Sequence, residues 1–282
     1  MNSLLVGVGV ADRAAPGDDP VADAVTAEAL GYDFVSAFDH PVADAATAEA
    51  VGYDPVPAAG RQRRTYPTYE TWTLLTWIAA RTTQIAIMPR VLGVPFRRPV
   101  LVAKAAESLQ RLSGGRLILG LGAGYRDTEI RAAGAPALTP RARADALTDA
   151  IAITRAAWVQ PAASYHGAVY SVDDLDLEPK PAQPIPIWLG ALGPRGLALT
   201  GRVADRWIPF MRLAGPARIP QLLDQVRSAS TRPPAAPPRS SPARPPTSSN
   251  SSAASPSSAS AALTSSPAAT RSAPSPRTSS PR

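Results

Sequence analysis

Apolar residues fall into short unbroken runs separated by longer stretches with helical spacing. Runs at residues 4–10, 33–37, 85–92, 117–121, 185–189 and 205–210 predict six strands, because a brief apolar run bounded by Gly, Pro or Asp reads as a buried strand. The spacing predicts helices over 20–30, 69–82, 99–112, 140–158, 195–203 and 219–228. Gly31 stops the first of these, and Pro99 opens the third at a position where a missing N–H costs nothing. Residues 41–65 are polar and irregular, with a basic patch at Arg61, Arg63 and Arg64, and read as a long loop. Residues 165–172 predict a small hairpin around His166-Gly167.

Strand and helix alternate, which means parallel strands joined by helical crossovers. The strands lack polar alternation, as in Leu117-Ile118-Leu119, which suits strands covered on both faces. The fold class is therefore α/β, either an open doubly wound sheet or a (β/α)8 barrel. Both bind ligands beyond the C-terminal ends of their strands. Asp39-His40, Arg90 to Gly93, Gly120 to Arg126 and Gly190 to Arg195 all stand there.

Composition divides the chain. Residues 229–282 hold 12 Pro and 17 Ser in 54 positions, with Leu263 the single large aliphatic residue and no aromatic one. Such a stretch buries too little apolar surface to offset roughly 1–2 kcal/mol per residue of ordering entropy. A folded domain over 1–228 and a disordered Ser/Pro/Ala/Arg-rich tail over 229–282 are expected. The net charge is +7. The tail's arginines (232, 239, 244, 271, 277 and 282), with no acid among them, carry nearly all of it. Spaced arginines can touch nucleic acid, but a solvated tail is the expectation, so nucleic acid is not an expected partner. The chain has no cysteine, which excludes disulfides and thiolate chemistry. Two histidines are too few for a His-rich metal site. No window approaches 18 unbroken apolar residues and no secretory leader opens the chain. A cytoplasmic protein with no membrane partner is expected.

Three segments carry candidate chemistry. Gly120-Leu-Gly122-Ala-Gly124 follows a strand, where glycines let a backbone approach an anion or a flat ring; a plain strand-to-helix turn fits equally well. It is not the dinucleotide fingerprint, because Tyr125 and Asp127 stand where the last glycine would be. Gly190-Ala-Leu-Gly193-Pro194-Arg195 offers either a capped turn or helix-start N–H groups for a phosphate. His40, at a strand's end beside Asp39, is placed to move a proton near neutral pH, although a structural role is open to it. His166 reads as structural.

These segments, with Tyr66 to Leu75, Arg81-Thr-Thr-Gln-Ile85, Leu112-Ser-Gly-Gly-Arg116, Leu177-Glu-Pro-Lys-Pro181, Pro186-Ile-Trp-Leu-Gly190 and Ala204-Asp-Arg-Trp-Ile-Pro209, resemble in order and spacing the luciferase-like monooxygenase superfamily, most closely its deazaflavin (coenzyme F420) branch. The Ser-Gly-Gly-Arg stretch is the most specific element, and the likeness covers residues 4–228. The resemblance implies a (β/α)8 barrel with F420, or alternatively FMN, across its C-terminal mouth. It implies hydride transfer between that cofactor and a small organic substrate, and a homodimer. It gives Asp39 and His40 catalytic roles. It implies a non-prolyl cis peptide at Arg90-Val91 behind the ring, and places Gly122, Ala123, Gly124, Tyr125, Gly190, Ala191, Gly193 and Pro194 around the cofactor. No metal is implied.

Two residues depart from the family. Tyr125 replaces the glutamate of the sugar-phosphate dehydrogenase branch, so that substrate is not expected. Arg206 stands where the family commonly has Gly, and is expected to crowd the barrel mouth. Two further strands should follow residue 228, where Ser/Pro/Ala/Arg repeats stand instead, a break of the kind that a frame change in a GC-rich gene produces. The expectation is thus an incomplete barrel of about six strands out of eight, and the alternative to an active oxidoreductase is a non-catalytic truncated product.

Overall fold

The computed structural model describes residues 5–11, 14, 17–41, 67–210 and 214–230, with the backbone alone at 56–57 and 64–65. Of the expected tail over 229–282, Ala229 and Ser230 close a helix and residues 231 onward lie outside the described residues, as does most of the expected loop over 41–65. Residues 1–235 form one compact unit, and the second unit, 236–282, lies outside the description.

The strands are β1 (Gly7–Gly9), β2 (Phe34–Ala37), β3 (Val56–Pro57), β4 (Arg64–Thr65), β5 (Ala86–Pro89), β6 (Leu92–Gly93), β7 (Leu119–Gly122), β8 (Ala163–His166), β9 (Ser171–Leu175), β10 (Ile187–Gly190) and β11 (Arg206–Ile208). The α-helices are α1 (Pro20–Ala29), α2 (Thr71–Arg81), α3 (Pro99–Leu112), α4 (Asp127–Ala132), α5 (Pro140–Val159), α6 (Pro194–Val203) and α7 (Ile219–Ser230). Six parallel strands run β1-β2-β5 and then β7-β10-β11. An Ile87–Leu117 bridge joins the two groups. This is the α/β architecture expected, with parallel strands and crossover helices. Among the described residues, β1 and β11 each pair on one side only.

Side chains alternate across each strand, and the two faces are distinct. Val35, Ala37, Ile87, Leu119, Leu121, Ile187 and Leu189 pack outward with Leu75 and Ile78 of α2 and with residues of the other helices in the main core. Each such fully buried side chain contributes about 1.5–3 kcal/mol. Phe34, Met88, Ile118, Trp188 and Ile208 meet in a separate cluster between the strands. Arg206 belongs to that inner face, at the first residue of β11, with its guanidinium 5.5 Å from the Trp188 ring centre. It therefore sits at the strand's entry end and does not crowd the mouth.

The third barrel strand is predicted as one run, 85–92, but divides in two. β5 pairs with β2, and β6 pairs with β7 through Leu92–Leu121 and Gly93–Gly122. Between them the Arg90-Val91 peptide is cis. The break brings the Pro89 carbonyl against β7, where a Cβ on Gly120 would lie 2.1 Å from it; only glycine fits.

At the end opposite the mouth the helices are tied to the strands by charged side chains. Arg116, from the Ser-Gly-Gly-Arg stretch, donates to the carbonyls of Ala79, Thr82, Ile85 and Ser113 and to Thr82 Oγ1 at 2.7–3.1 Å. A cation at the carbonyl end of α2 satisfies acceptors that the helix leaves open. Glu28 Oε1 accepts from the N–H groups of Thr83, Gln84 and Ile85 at 2.6–2.9 Å. Burial pushes the Glu28 carboxyl up, but the three donors and the nearby Arg116 charge outweigh it and hold it below its ordinary 4.5. A depressed folded value means that ionised Glu28 stabilises the fold above about pH 4.5, and that this is lost as pH falls through the folded value. The melting temperature of Glu28→Gln should therefore lie below that of the parent at pH 7, with the gap narrowing as pH falls below about 4.5. A constant gap down to pH 3 in paired melts would contradict this.

Candidate active site

β2 sets the site by its alternation. Continuing past Ala37, Phe38 and His40 follow Phe34 and Ser36, while Asp39 follows Val35 and Ala37 on the helix side. The neighbouring residues Asp39 and His40 thus part company. Asp39 is 4% exposed. It takes two hydrogen bonds from Arg97, at 2.8 and 2.9 Å, one from Gly93 N at 2.8 Å and one from Thr71 Oγ1 at 3.0 Å. Arg97 also meets Glu70, the N-cap of α2, at 2.6 Å. Burial would lower the Arg97 pKa, but the bonds and charges of Asp39 and Glu70 outweigh it and hold it above the ordinary value. One buried carboxylate thereby ties the end of β2 to the start of α2, to β6 and to the loop before α3.

His40 is 9% exposed. Its carbonyl accepts from Thr68 Oγ1 at 2.8 Å. Its Nδ1 lies 2.9 Å from Glu129 Oε2, and Glu129, in the short helix α4, is itself only 4% exposed. Aromatic rings surround it. Phe38 is 6.1 Å away and Tyr125, edge-on, 6.3 Å. Phe38 in turn meets Phe210 at 6.3 Å and carries the Arg90 guanidinium 4.5 Å from its ring centre.

The glycines make a shelf beside these rings. Val91, just after the cis peptide, points across the ends of β7 and β10. A Cβ on Gly122 would lie 2.5 Å from its Cγ2, and one on Gly190 3.1 Å from both its methyl groups. Gly124 follows with φ +74, a conformation that suits glycine. Tyr125 beyond it is 47% exposed. Ala123 packs at the edge of the core, and the Ala191 carbonyl accepts from Trp207 Nε1 at 2.9 Å. Gly193 and Pro194 open α6, whose N-terminus has no side-chain cap, so no side chain takes up its first-turn N–H groups. His166 is exposed, 3.4 Å from Asp173 and in the β8–β9 hairpin. A separate recess of about 800 Å³ lies between α1 and α2, lined by Asp19, Val21, Tyr69, Trp72 and Trp77 and by none of the residues named above as site candidates.

The apolar Val91 side chain over a glycine shelf, the aromatic rings around His40 and an uncapped helix start fit a planar ring with a phosphate-bearing tail. Sequence reasoning did not single out Glu129, Arg97, Phe38 or Phe210. The signal available for Phe38 was its place two residues from His40 on one strand face. Glu129 sits in a six-residue helix too short for a periodic pattern.

The family model described as luciferase-like monooxygenase matches residues 6–278. Among curated proteins, the chain is 32% identical over 140 residues to the F420-dependent glucose-6-phosphate dehydrogenase of Intrasporangium calvum, which is 48% of this chain and 42% of that protein. It is 36% identical over 149 residues to the F420-dependent hydroxymycolic acid dehydrogenase of Mycobacterium tuberculosis, covering 52% and 41%. The chain thus spans about two-fifths of the length of these relatives. Among solved structures, an F420-dependent secondary alcohol dehydrogenase in complex with an F420-acetone adduct superposes with a TM-score of 0.63 at 20% identity, over 82% of this chain and 66% of the other. That likeness gives the fold, a TIM barrel of the luciferase-like kind.

Proposed function

Because the chain belongs to the luciferase-like monooxygenase family, we propose that its strand-end face binds coenzyme F420, with FMN as the alternative, and transfers a hydride between that cofactor and a small organic substrate. One observation carries this reading: the Val91 side chain laid over Gly122 and Gly190, at the strand ends of β7 and β10. When bound, the cofactor supplies the two-electron chemistry. The chain's residues do the rest. Val91 and the glycine shelf back the ring, the residues Gly122, Ala123, Gly124 and Tyr125 hold its edge, and Ala191, Gly193 and Pro194 at the start of α6 receive the phosphate. Arg90, stacked on Phe38, closes one side of the ring site. His40 takes or gives the substrate's hydroxyl proton as the carbon-bound hydrogen leaves or arrives as hydride. Asp39 acts as the fastener of this frame. With Tyr125 in place of a carboxylate and the rings of Phe38 and Phe210 nearby, the substrate we propose is apolar, not a sugar phosphate. A second copy of the chain as partner, and a cytoplasmic setting, go with this reading.

Titration of the purified chain with F420 and, separately, with FMN tests it by fluorescence. Saturable quenching of F420, weakened at least tenfold by Gly190→Val, is the expected result; no saturable change with either cofactor would refute it. The one-sided pairing of β1 and β11 among the described residues favours a second reading, a non-catalytic product, since open strand edges are a liability. Absence of a cooperative thermal transition together with absence of cofactor binding would decide for that reading.

A further inference from the structure

We infer that Glu129 is a positioning residue that fixes the tautomer of His40, holding the proton on Nδ1 and leaving Nε2 as a bare acceptor. The inference rests on the proton-transfer role proposed for His40 and extends it to a residue 89 positions away in sequence.

The argument begins with what each atom can do. An ionised carboxylate only accepts hydrogen bonds, and a neutral imidazole has one donor and one acceptor nitrogen. With Glu129 ionised and its Oε2 at 2.9 Å from Nδ1, Nδ1 is the donor, and in the neutral ring Nε2 carries the lone pair. Nε2 makes no hydrogen bond among the described residues. The other carboxylate oxygen, Oε1, is buried and has no hydrogen-bond partner among the described residues. His40 Nδ1 is therefore the hydrogen-bond donor that Glu129 has, and the side chain is 2% exposed. Leaving a carboxylate so buried with a single donor is costly unless that donor is well placed. The chain places it well: the Thr68 bond holds the His40 backbone, and α4 follows directly on Gly124, Tyr125 and Arg126.

The consequence is directional. A bare Nε2 accepts a proton from a substrate hydroxyl without first changing tautomer. As Nε2 becomes protonated, the Glu129 charge offsets the positive charge that forms on the ring. An imidazole with the opposite tautomer would offer Nε2–H and could not act as a base at that atom. Glu129 touches neither substrate nor cofactor in this scheme and acts only through His40.

The test uses the full chain and its small histidine count. In a His166→Asn background, His40 is the sole histidine, and 15N labelling of histidine reads its two ring nitrogens directly. At a pH above the ordinary imidazole range, Nδ1 is expected to give a protonated-type shift and Nε2 an unprotonated one. The reverse assignment overturns the inference, with no variant of Glu129 needed. Glu129→Leu, close in size, should shift the population toward the Nε2–H tautomer. Glu129→Gln, whose amide oxygen still accepts, should retain part of the Nδ1–H form. An unchanged tautomer in Glu129→Leu also overturns the inference. In turnover assays with F420 and a secondary alcohol, Glu129→Leu should lower kcat by about 100-fold with KM changed by less than about threefold, and Glu129→Gln should recover part of that loss. A rise in KM at constant kcat counts against it. The spectra involve no cofactor, so a failure of F420 and FMN to bind would end the proposed function without deciding the tautomer, and a wrong tautomer would remove Glu129 without touching cofactor binding.

Discussion

Asp39→Ala is expected to destabilise the folded chain by about 3 kcal/mol or more, the largest loss from any single side chain at the site. Removing one member of a buried ion pair costs roughly 3–5 kcal/mol, because the remaining charge loses its compensation. Here the residue left behind is Arg97, whose side chain is 16% exposed. It keeps Glu70 as a partner, but Glu70 is 44% exposed, and a screened contact of that kind is worth about 1 kcal/mol or less. The Gly93 N–H and the Thr71 hydroxyl lose their acceptor as well. Against a typical total of about 5–15 kcal/mol, the loss leaves little margin. Urea unfolding followed by circular dichroism reads it as a lower midpoint at an unchanged slope. Asp39→Asn, which keeps one oxygen acceptor but loses the charge and sets an amide NH2 where the second oxygen accepts, should fall between the parent and Asp39→Ala. A shift under about 1 kcal/mol for Asp39→Ala would mean that the residue does not fasten the frame, and its proximity to His40 would then need another explanation.

His40→Ala is expected to leave the cofactor affinity nearly intact and to lower turnover by about 10²–10⁴-fold, the usual contribution of a positioned proton carrier. The ring is small and lies at the rim, so its removal costs less packing than the loss of a core residue. Its partner Glu129 does lose its donor, and a stability loss of about 1–3 kcal/mol follows. The discriminating measurement is therefore a pair: the F420 dissociation constant, expected within about threefold of the parent, and the single-turnover rate, expected to collapse. A variant that binds cofactor and retains turnover within tenfold of the parent would exclude His40 as the proton carrier.

The contrast between Asp39 and His40 shows where sequence reasoning reached and where it stopped. Both were visible as strand-end residues, and both were assigned chemistry. The period of a strand separates them, because adjacent residues face opposite sides. Val35, Ala37 and Asp39 share one face, and that face is the one that α2 covers. That much was readable; the three partners of Asp39 were not, since Arg97 lies 58 residues away. The helix over 99–112 was legible to the residue because Pro99 and the Ser-Gly-Gly turn mark its ends. α4 was not, because six residues leave no periodic trace, and its one telling residue pairs with a strand 89 positions earlier. The division of the run at 85–92 into β5 and β6 was invisible to hydropathy, which sees apolar residues on both sides of the break. The family likeness supplied what periodicity lacks there, placing the cis peptide at Arg90-Val91, where it stands. Arg206 could have been placed from the run itself, because a strand over 205–210 already sets it at the entry end, where β11 begins.

The ties made by Arg116 and Glu28 have a bearing on how such a chain diversifies. Both anchor helices at the end where strands enter, far from the loops that follow Gly122 and Gly190. These bonds do not run through the rim, where Asp39 makes a separate set of ties to Thr71, Gly93 and Arg97. Residues such as Ala123, Tyr125, Ala191 and Leu192 are then open to exchange one codon at a time, each exchange altering what the rim accepts while the anchored end is inherited unchanged. A change at one of these rim residues is therefore expected to leave the melting temperature near that of the parent, because the bonds of Arg116 and Glu28 at the opposite end are untouched.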